Sequence, residues 1–315
     1  MTQNYIGAPI TRKEDARFLT GRATYLDDIK RPGMLHAAIL RSPHAHARII
    51  SIDTKEALSM PGVSAVITYN DLPASIQPIP VRIFNLPGLE RCLQYPLAGD
   101  KVRYTGDPVA VVVAENRYIA EDALEVIAVD YEPLPAVADV REGLKDDVVL
   151  HDEAGTNLTG STTLNVGDVD QAFSNAEYTR KEEFHTHRHT GNPLETRGLV
   201  AEYDAGTGQL SVWGPTKVPH FNRNILSNQL DMDRENIHFF EPDVGGGFGI
   251  RGEFYPEDFL VPFAAIRVGK PVKWVEDRME HLMAANHSRE VRCQVEIAAK
   301  KDGTLLGIRP DIYGD

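Results

Sequence analysis

A chain of 315 residues, 42% hydrophobic and 25% charged, has the make-up of an ordinary globular protein and enough length for two domains. Its formal charge of -13, from 46 acidic and 33 basic side chains, argues against a general binder of nucleic acid or anionic membrane, since such partners select clustered Lys and Arg. The two cysteines, Cys92 and Cys293, lie far apart without a CxxC partner, so this chain alone can build neither a disulfide framework nor an iron-sulfur site. The start lacks a basic region followed by an apolar core, and no apolar run approaches the roughly 20 residues of a membrane span. A soluble, unexported, cytoplasmic protein is expected.

In chain order, residues 11–17 read as a solvated charged turn or short helix. Residues 34–40 form an apolar run suited to a buried strand and are stopped by Arg41-Ser42-Pro43. His44 and His46 follow in a turn without nearby cysteine or carboxylate ligands, and a solvated histidine pair is expected there. Residues 48–52 alternate as a second strand, 54–60 suit a capped helix, and 63–67 return as a strand. The proline-rich stretch 72–97 reads as an irregular surface excursion suited to a subunit contact. A second pass begins at Pro108: 109–114 is the most strand-like segment, Asn116 can cap a helix to about Val126, and 127–131 is strand again. Two strand-helix-strand passes imply a mixed sheet with helices packed on it.

Residues 132–163 are rich in Pro, Asp, Gly and Thr and mark a domain boundary. Beyond them, 168–177 reads as a helix and 178–185 as a strand. That strand continues through His185, His187 and His189, which would share one face if extended. Their spacing of about 7 Å is awkward for chelation, so a polar sheet face or subunit contact is expected. Glu195 and Arg197 read as a buried structural pair, and 199–203 with 209–213 as a hairpin. Pro219 can start a helix to about Leu230.

The most distinctive stretch is Glu241-Pro242-Asp243-Val244-Gly245-Gly246-Gly247-Phe248-Gly249-Ile250-Arg251. A strand-like run, 237–240, empties into a loop with almost no side chains. Glycine accepts positive φ, and successive amides can then converge on an anion or an oxo group. Phe248 would supply an apolar wall and Arg251 a charge. The run is neither GxxxxGK[ST] nor GxGxxG with a later acidic residue, and by itself it also suits a loop needed for close packing. Pro256-Glu257-Asp258 then opens a helix whose apolar residues recur at helical spacing until Gly269 and Pro271. Residues 272–275 read as strand, 277–281 as a turn or short helix, and 291–298 and 305–312 as two strands about Lys301-Asp302-Gly303.

Asp243 through Gly249, Tyr255-Pro256-Glu257 and 271–278 resemble the large, molybdopterin-binding subunit of the xanthine dehydrogenase and aldehyde oxidase family. The run 242–278 is most similar to the aerobic carbon monoxide dehydrogenase type. The resemblance extends from about Gly7 to Asp315, but family large subunits are much longer and only their N-terminal part is matched. It implies an α+β fold: an N-terminal segment (1–19), an α/β hammerhead domain (20–135), a linker (136–163), and the first part of a mixed α/β molybdenum-cofactor-binding domain (164–315). It also implies a molybdenum hydroxylase oxidising a small substrate such as carbon monoxide, an aldehyde or an N-heterocycle with oxygen from water. Electrons would pass to iron-sulfur and FAD partner subunits. A catalytically inactive binding or assembly module of the same fold is the alternative.

The cofactor implied is molybdopterin, in its cytosine dinucleotide form, with molybdenum. Gly245, Gly246, Gly247, Phe248 and Gly249 would contact it, with Lys217 and Arg251 nearby. Lys217 falls where many relatives carry a glutamine whose amide lies near an oxygen ligand of the metal; an ammonium there can still donate but adds charge. No residue matches the family's catalytic glutamate, so no catalytic residue is assigned. That base is expected from a companion chain or a missing C-terminal half.

Overall fold

The computed structural model describes residues 5–82 and 86–315; the ends of two expectations, the leaderless start and part of the proline-rich excursion, lie outside the described residues. After a short helix α1 (Asp15–Leu19), the chain forms β1 (Leu35–Arg41), β2 (Ala47–Asp53), α2 (Lys55–Ser59) and β3 (Val63–Thr68). The second pass is β4 (Lys101–Val102), β5 (Pro108–Ala114), α3 (Arg117–Glu125) and β6 (Ala128–Pro133). Two short helices, α4 (Val140–Gly143) and α5 (Val169–Ser174), lead to β7 (Tyr178–Thr186), β8 (Gly198–Asp204) and β9 (Gln209–Trp213). Then come α6 (Pro219–Leu230), β10 (Ile237–Phe240), α7 (Pro256–Val268), β11 (Val272–Val275), α8 (Arg278–Ala284), β12 (Val291–Ala299) and β13 (Leu305–Gly314).

The strands make three sheets, and the largest crosses between the two passes and the later segment, in the order β10-β9-β8-β11-β1-β5-β3. The join is a short parallel pairing in which Leu35 faces Val272 and His36 faces Lys273. Segments read in sequence as separate domains thus share one sheet. A three-stranded sheet, β4-β2-β6, completes the first part, and another, β13-β12-β7, closes the second.

Strand β5 shows why both faces of the large sheet are dry. Its side chains alternate, so Val111 and Val113 enter one core with Leu35, Leu199, Val212, Phe259, Leu260 and Trp274. Ala110, Val112 and Ala114 enter the opposite core, with Ala120 and Ala123 of α3. Complete burial of one Val or Leu side chain stabilises by about 1.5–3 kcal/mol, and every residue of β5 is buried. The small alanines of α3 let that helix lie close on the sheet, while α7 covers the other face through Phe259 and Leu260.

The Asn116 carboxamide oxygen accepts from the Ile119 amide at 3.0 Å, so Asn116 caps α3 as its position suggests. Substituting Asn116→Ala should cost about 1 kcal/mol in urea unfolding. An unchanged midpoint would show that the cap contributes nothing.

One histidine expectation is corrected. His46 is not solvated: it is 5% exposed, and its Nδ1 lies 2.6 Å from the Pro135 carbonyl, which ties the turn after β1 to the end of β6. His185 and His187 stand side by side, with ring centres 4.2 Å apart, although β7 itself ends at Thr186. His185 pairs with Glu290 at 2.9 Å, and His189 lies 2.9 Å from the Ser288 hydroxyl. Among the described residues no group of His, Cys, Asp and Glu is arranged to hold a metal ion, and no helix is long and apolar enough to cross a membrane. Both cysteines are free and half-buried.

Candidate cofactor cradle

Strand β10 delivers the chain into the glycine loop, and the loop is held from beneath by one carboxylate. Glu195 Oε2 accepts from the Gly245 amide at 2.8 Å and from Arg251 Nη2 at 3.0 Å. The Glu195 amide returns a bond to the Gly245 carbonyl at 3.2 Å. This approach needs a residue without a side chain: a Cβ on Gly245 would lie 2.4 Å from Glu195 Cβ. Arg251 spends its guanidinium on main-chain carbonyls, those of Gly246 (2.8 Å), Glu195 (3.0 Å) and Thr196 (3.1 Å). It is 7% exposed, and burial lowers its pKa despite nearby Glu195. Its charge therefore braces the loop.

The Glu195–Arg197 pair expected from sequence is replaced by an exchange of partners. Arg197 turns to Glu276, with Nε at 3.0 Å from Oε1, and to Glu257 at 3.0 Å. Glu257 also receives Arg41 at 2.5 Å, Arg41 reaches Glu280 at 2.7 Å, and His281 Nδ1 lies 2.8 Å from Glu276. Burial works against ionisation of Glu276, but the His281 hydrogen bond and the Arg197 charge outweigh it and hold the carboxyl at about 2. Arg41 lies in a strand and Glu257 in the first turn of a helix. Nothing in their local pattern announces that they meet.

Above this base the loop is open. The amides of Gly246, Gly247, Phe248 and Gly249 donate to no protein acceptor among the described residues, whereas the flanking Gly245, Ile250 and Gly252 amides are all bonded. Gly246 and Gly249 have φ of 110° and 99°, and Phe248 also lies in the left-handed region at 50° while 77% exposed. A phenylalanine held there costs about 1–3 kcal/mol of backbone strain, with no burial of its ring to offset it. A Cβ at Gly247 would meet nothing within 4 Å. The vacant side of the loop is a cradle with free donors.

Phe248 and Gly249 line a cleft of about 850 Å³ whose walls include Arg41, Tyr104, His189, Glu253 and Asn286. Gly245, Gly246, Gly247 and Lys217 are not among its lining residues. Lys217 is exposed, and its amide donates to the Arg251 carbonyl at 2.9 Å; a Cβ on Gly252 would lie 3.8 Å from its Cδ. A second cavity of about 950 Å³ shares Val81, Gln94, Tyr104, Glu253, Tyr255 and Asn286 with the first, so the two adjoin across a common wall. The proline-rich excursion walls both. Its Arg82 Nε donates to the Gly252 carbonyl at 2.7 Å, fastening the excursion to the exit of the glycine loop. Glu241, at the loop entry, accepts from the Thr216 amide at 2.9 Å, and burial pushes its pKa up to about 7.

A strand, a loop of unpaired amides and a helix are set on a sheet shared with a two-pass α/β unit. The family model described as molybdopterin cofactor-binding domain matches residues 150–315, and that of the aldehyde oxidase and xanthine dehydrogenase a/b hammerhead domain matches residues 20–135. The chain belongs to the molybdopterin-binding, aldehyde oxidase and xanthine dehydrogenase family. It is 41% identical to the nicotine 6-hydroxylase large subunit of Paenarthrobacter nicotinovorans, over 98% of this chain and 38% of that one. It is 39% identical to the carbon monoxide dehydrogenase large chain of Afipia carboxidovorans, over 98% of this chain and 39% of that one. The crystal structure of quinoline 2-oxidoreductase from Pseudomonas putida 86 superposes with a TM-score of 0.89 at 36% identity, covering 96% of this chain and 38% of that one. The chain spans about two fifths of the length of these relatives.

Proposed function

We propose that this chain supplies the main-chain half of a molybdenum-cofactor site in a molybdenum hydroxylase that acts on a small substrate such as carbon monoxide, an aldehyde or an N-heterocycle. The observation that carries this reading is the run of four unpaired amides, Gly246 through Gly249, beside an open cleft in a chain of this family. When bound, a molybdenum-pterin group supplies two-electron oxidation of the substrate with an oxygen atom from water. The residues present fit it: donors without acceptors suit oxygen ligands, and the space over Gly247 leaves the main chain accessible.

In this reading the chain's own residues bind and orient. Gly245 is held down by Glu195, while the following four amides have no protein acceptor among the described residues. Arg251 fixes the Gly246 carbonyl on the opposite side of the peptide, which keeps the amides turned outward. Phe248 lines the cleft and presents an apolar wall next to those donors. Lys217 contributes a positive charge where an amide would be neutral, and its place favours electron-rich or anionic ligands at the metal. The cofactor is the cytosine dinucleotide form, and electrons leave to iron-sulfur and FAD subunits. The catalytic base is a glutamate carried by a companion chain or a C-terminal half of the large subunit.

The test is metal analysis of the chain purified together with the products of its neighbouring genes. Molybdenum and pterin should be present in that complex, while the chain alone should show no turnover. Replacing Phe248→Asp, a change at an exposed position, should lower molybdenum content without shifting the thermal midpoint. Full molybdenum in that variant would remove Phe248 from the site.

A further inference from the structure

Helix α1 is short, charged and without a buried residue, yet its Arg17 reaches the entry of the glycine loop. The guanidinium forks onto the Asp243 carboxylate, with Nη2 donating to Oδ1 at 2.5 Å and Nη1 donating to Oδ2. The Thr24 amide donates to the same Oδ2 at 2.7 Å, and the Asp243 amide donates back to the Thr24 carbonyl at 2.9 Å. A carboxylate that accepts two parallel bonds from one guanidinium is fixed in position and in plane. The Arg17 hydrogen bond, followed by that from Thr24, holds the Asp243 carboxyl below its usual range.

The segment that carries these donors is itself fastened to the large sheet. Leu26 is 1% exposed and stands on Gly198 of β8, where a Cβ would come within 2.5 Å of the Leu26 side chain. Lys273 of β11, also buried, donates from Nζ to the Asp27 carbonyl at 2.6 Å. The Leu26 amide donates to Glu195 Oε1 at 3.3 Å. Residues 17–26 therefore hold both Asp243 and the carboxylate that pins Gly245.

Only Val244 separates those two held points, and the unpaired amides begin immediately after them, at Gly246. A glycine run has more conformations to lose than any other stretch, so its amides face a ligand in one arrangement only if the chain enters and leaves in fixed directions. Arg251 and Arg82 fix the exit through the carbonyls of Gly246 and Gly252. Arg17 and Thr24 fix the entry. A half-exposed ion pair contributes little to global stability, so loss of Arg17 acts on the loop and not on the fold.

We propose that the Arg17 side chain and the Thr24 main chain are positioning groups for the amide cradle: through Asp243 they set the direction in which Gly246 through Gly249 present their N–H groups. The proposal rests on the cofactor reading above for what the cradle binds. The clamp pre-organises the loop, so that less ordering remains to be done when the ligand arrives.

The test compares wild-type and Arg17→Ala chains, each purified with the neighbouring gene products. Exchange of single amides is measured on complexes from cells grown without molybdate, so that no bound group contributes, and molybdenum per complex on those grown with it. The Gly245 amide donates to Glu195 and not to the Arg17–Asp243 pair, so it reports on the loop beyond the lost contact. It should exchange about tenfold faster in Arg17→Ala at an unchanged thermal midpoint. Molybdenum should fall about threefold or more, because the loop must then be ordered by the ligand itself. Arg17→Lys, which keeps the charge and loses the fork, should restore part of both. If Arg17→Ala fails to fold, Asp243→Asn makes the same test, since it keeps an acceptor for the Thr24 amide and removes only the charge facing Arg17. Unchanged Gly245 exchange would overturn the proposal, and molybdenum in the wild-type complex would then leave the cofactor reading intact. Faster exchange with full molybdenum would overturn it as well. Faster exchange where the wild-type complex takes up no molybdenum would support the clamp and remove the cofactor reading.

Discussion

Replacing Arg197→Met should destabilise the protein by about 3–5 kcal/mol, the cost of leaving buried carboxylates without their counter-charge. Arg197 is 5% exposed and bridges Glu257 and Glu276, which are themselves buried. Its guanidinium also lies 4.0 Å from the Tyr255 ring centre, so packing is lost along with charge. The sign of the pH dependence separates the two contributions. Burial disfavours ionisation of both carboxyls, but the positive groups outweigh it, holding Glu276 at about 2 and Glu257 below its usual range. A carboxyl lowered in the folded state stabilises fully above its unfolded value of about 4.5 and loses that contribution as pH falls toward 2. The stability gap between wild type and Arg197→Met should therefore be widest near neutral pH and narrow through the acid range. A gap that stays constant from neutral pH down to about pH 3 in urea unfolding would show that packing, and not charge, holds this cluster.

The sequence carried the local elements well because their signals are local. The Asn116 cap, the alternation of β5, the Pro219 start of α6 and the Gly269 stop of α7 each depend on a few neighbouring residues. Pairing across the chain has no such signal. The parallel contact of β1 with β11 joins Leu35 to Val272, and two apolar strands so far apart read the same whether or not they meet. The boundary expected near residues 132–163 was read from composition, which reports flexible connections and is silent on whether a sheet passes around them. Partner choice among charges failed for a related reason. Glu195 and Arg197 are close in sequence, but one points to the glycine loop and the other to the α7 and β11 termini, so each found a distant partner.

The candidate site was legible in its position and not in its mechanics. Gly245 through Gly249 announce an exposed main chain by lacking side chains. They do not announce that Gly245 is pinned by Glu195 while the next four amides stay free. Arg251, read as a charge for a ligand, is turned into the protein, where three carbonyls occupy it. The excursion from residue 72 onward carried no chemistry in its sequence, yet Arg82 fastens it to Gly252 and makes it a wall of the cleft.

The second large effect is expected at Gly247. A Cβ there meets no described protein atom within 4 Å and the position needs no left-handed φ, so Gly247→Leu should leave the thermal midpoint within the range of ordinary surface changes, about 0.5 kcal/mol. The same side chain would stand in front of the unpaired amides. It should deny an oxygen-bearing group the close approach that only bare main chain permits. Molybdenum per complex, measured on Gly247→Leu and wild-type chains purified with the neighbouring gene products, is thus the most direct test. The cradle account predicts a loss of about tenfold or more at unchanged stability, equivalent to about 1.4 kcal/mol of binding. Equal molybdenum in the two would contradict it.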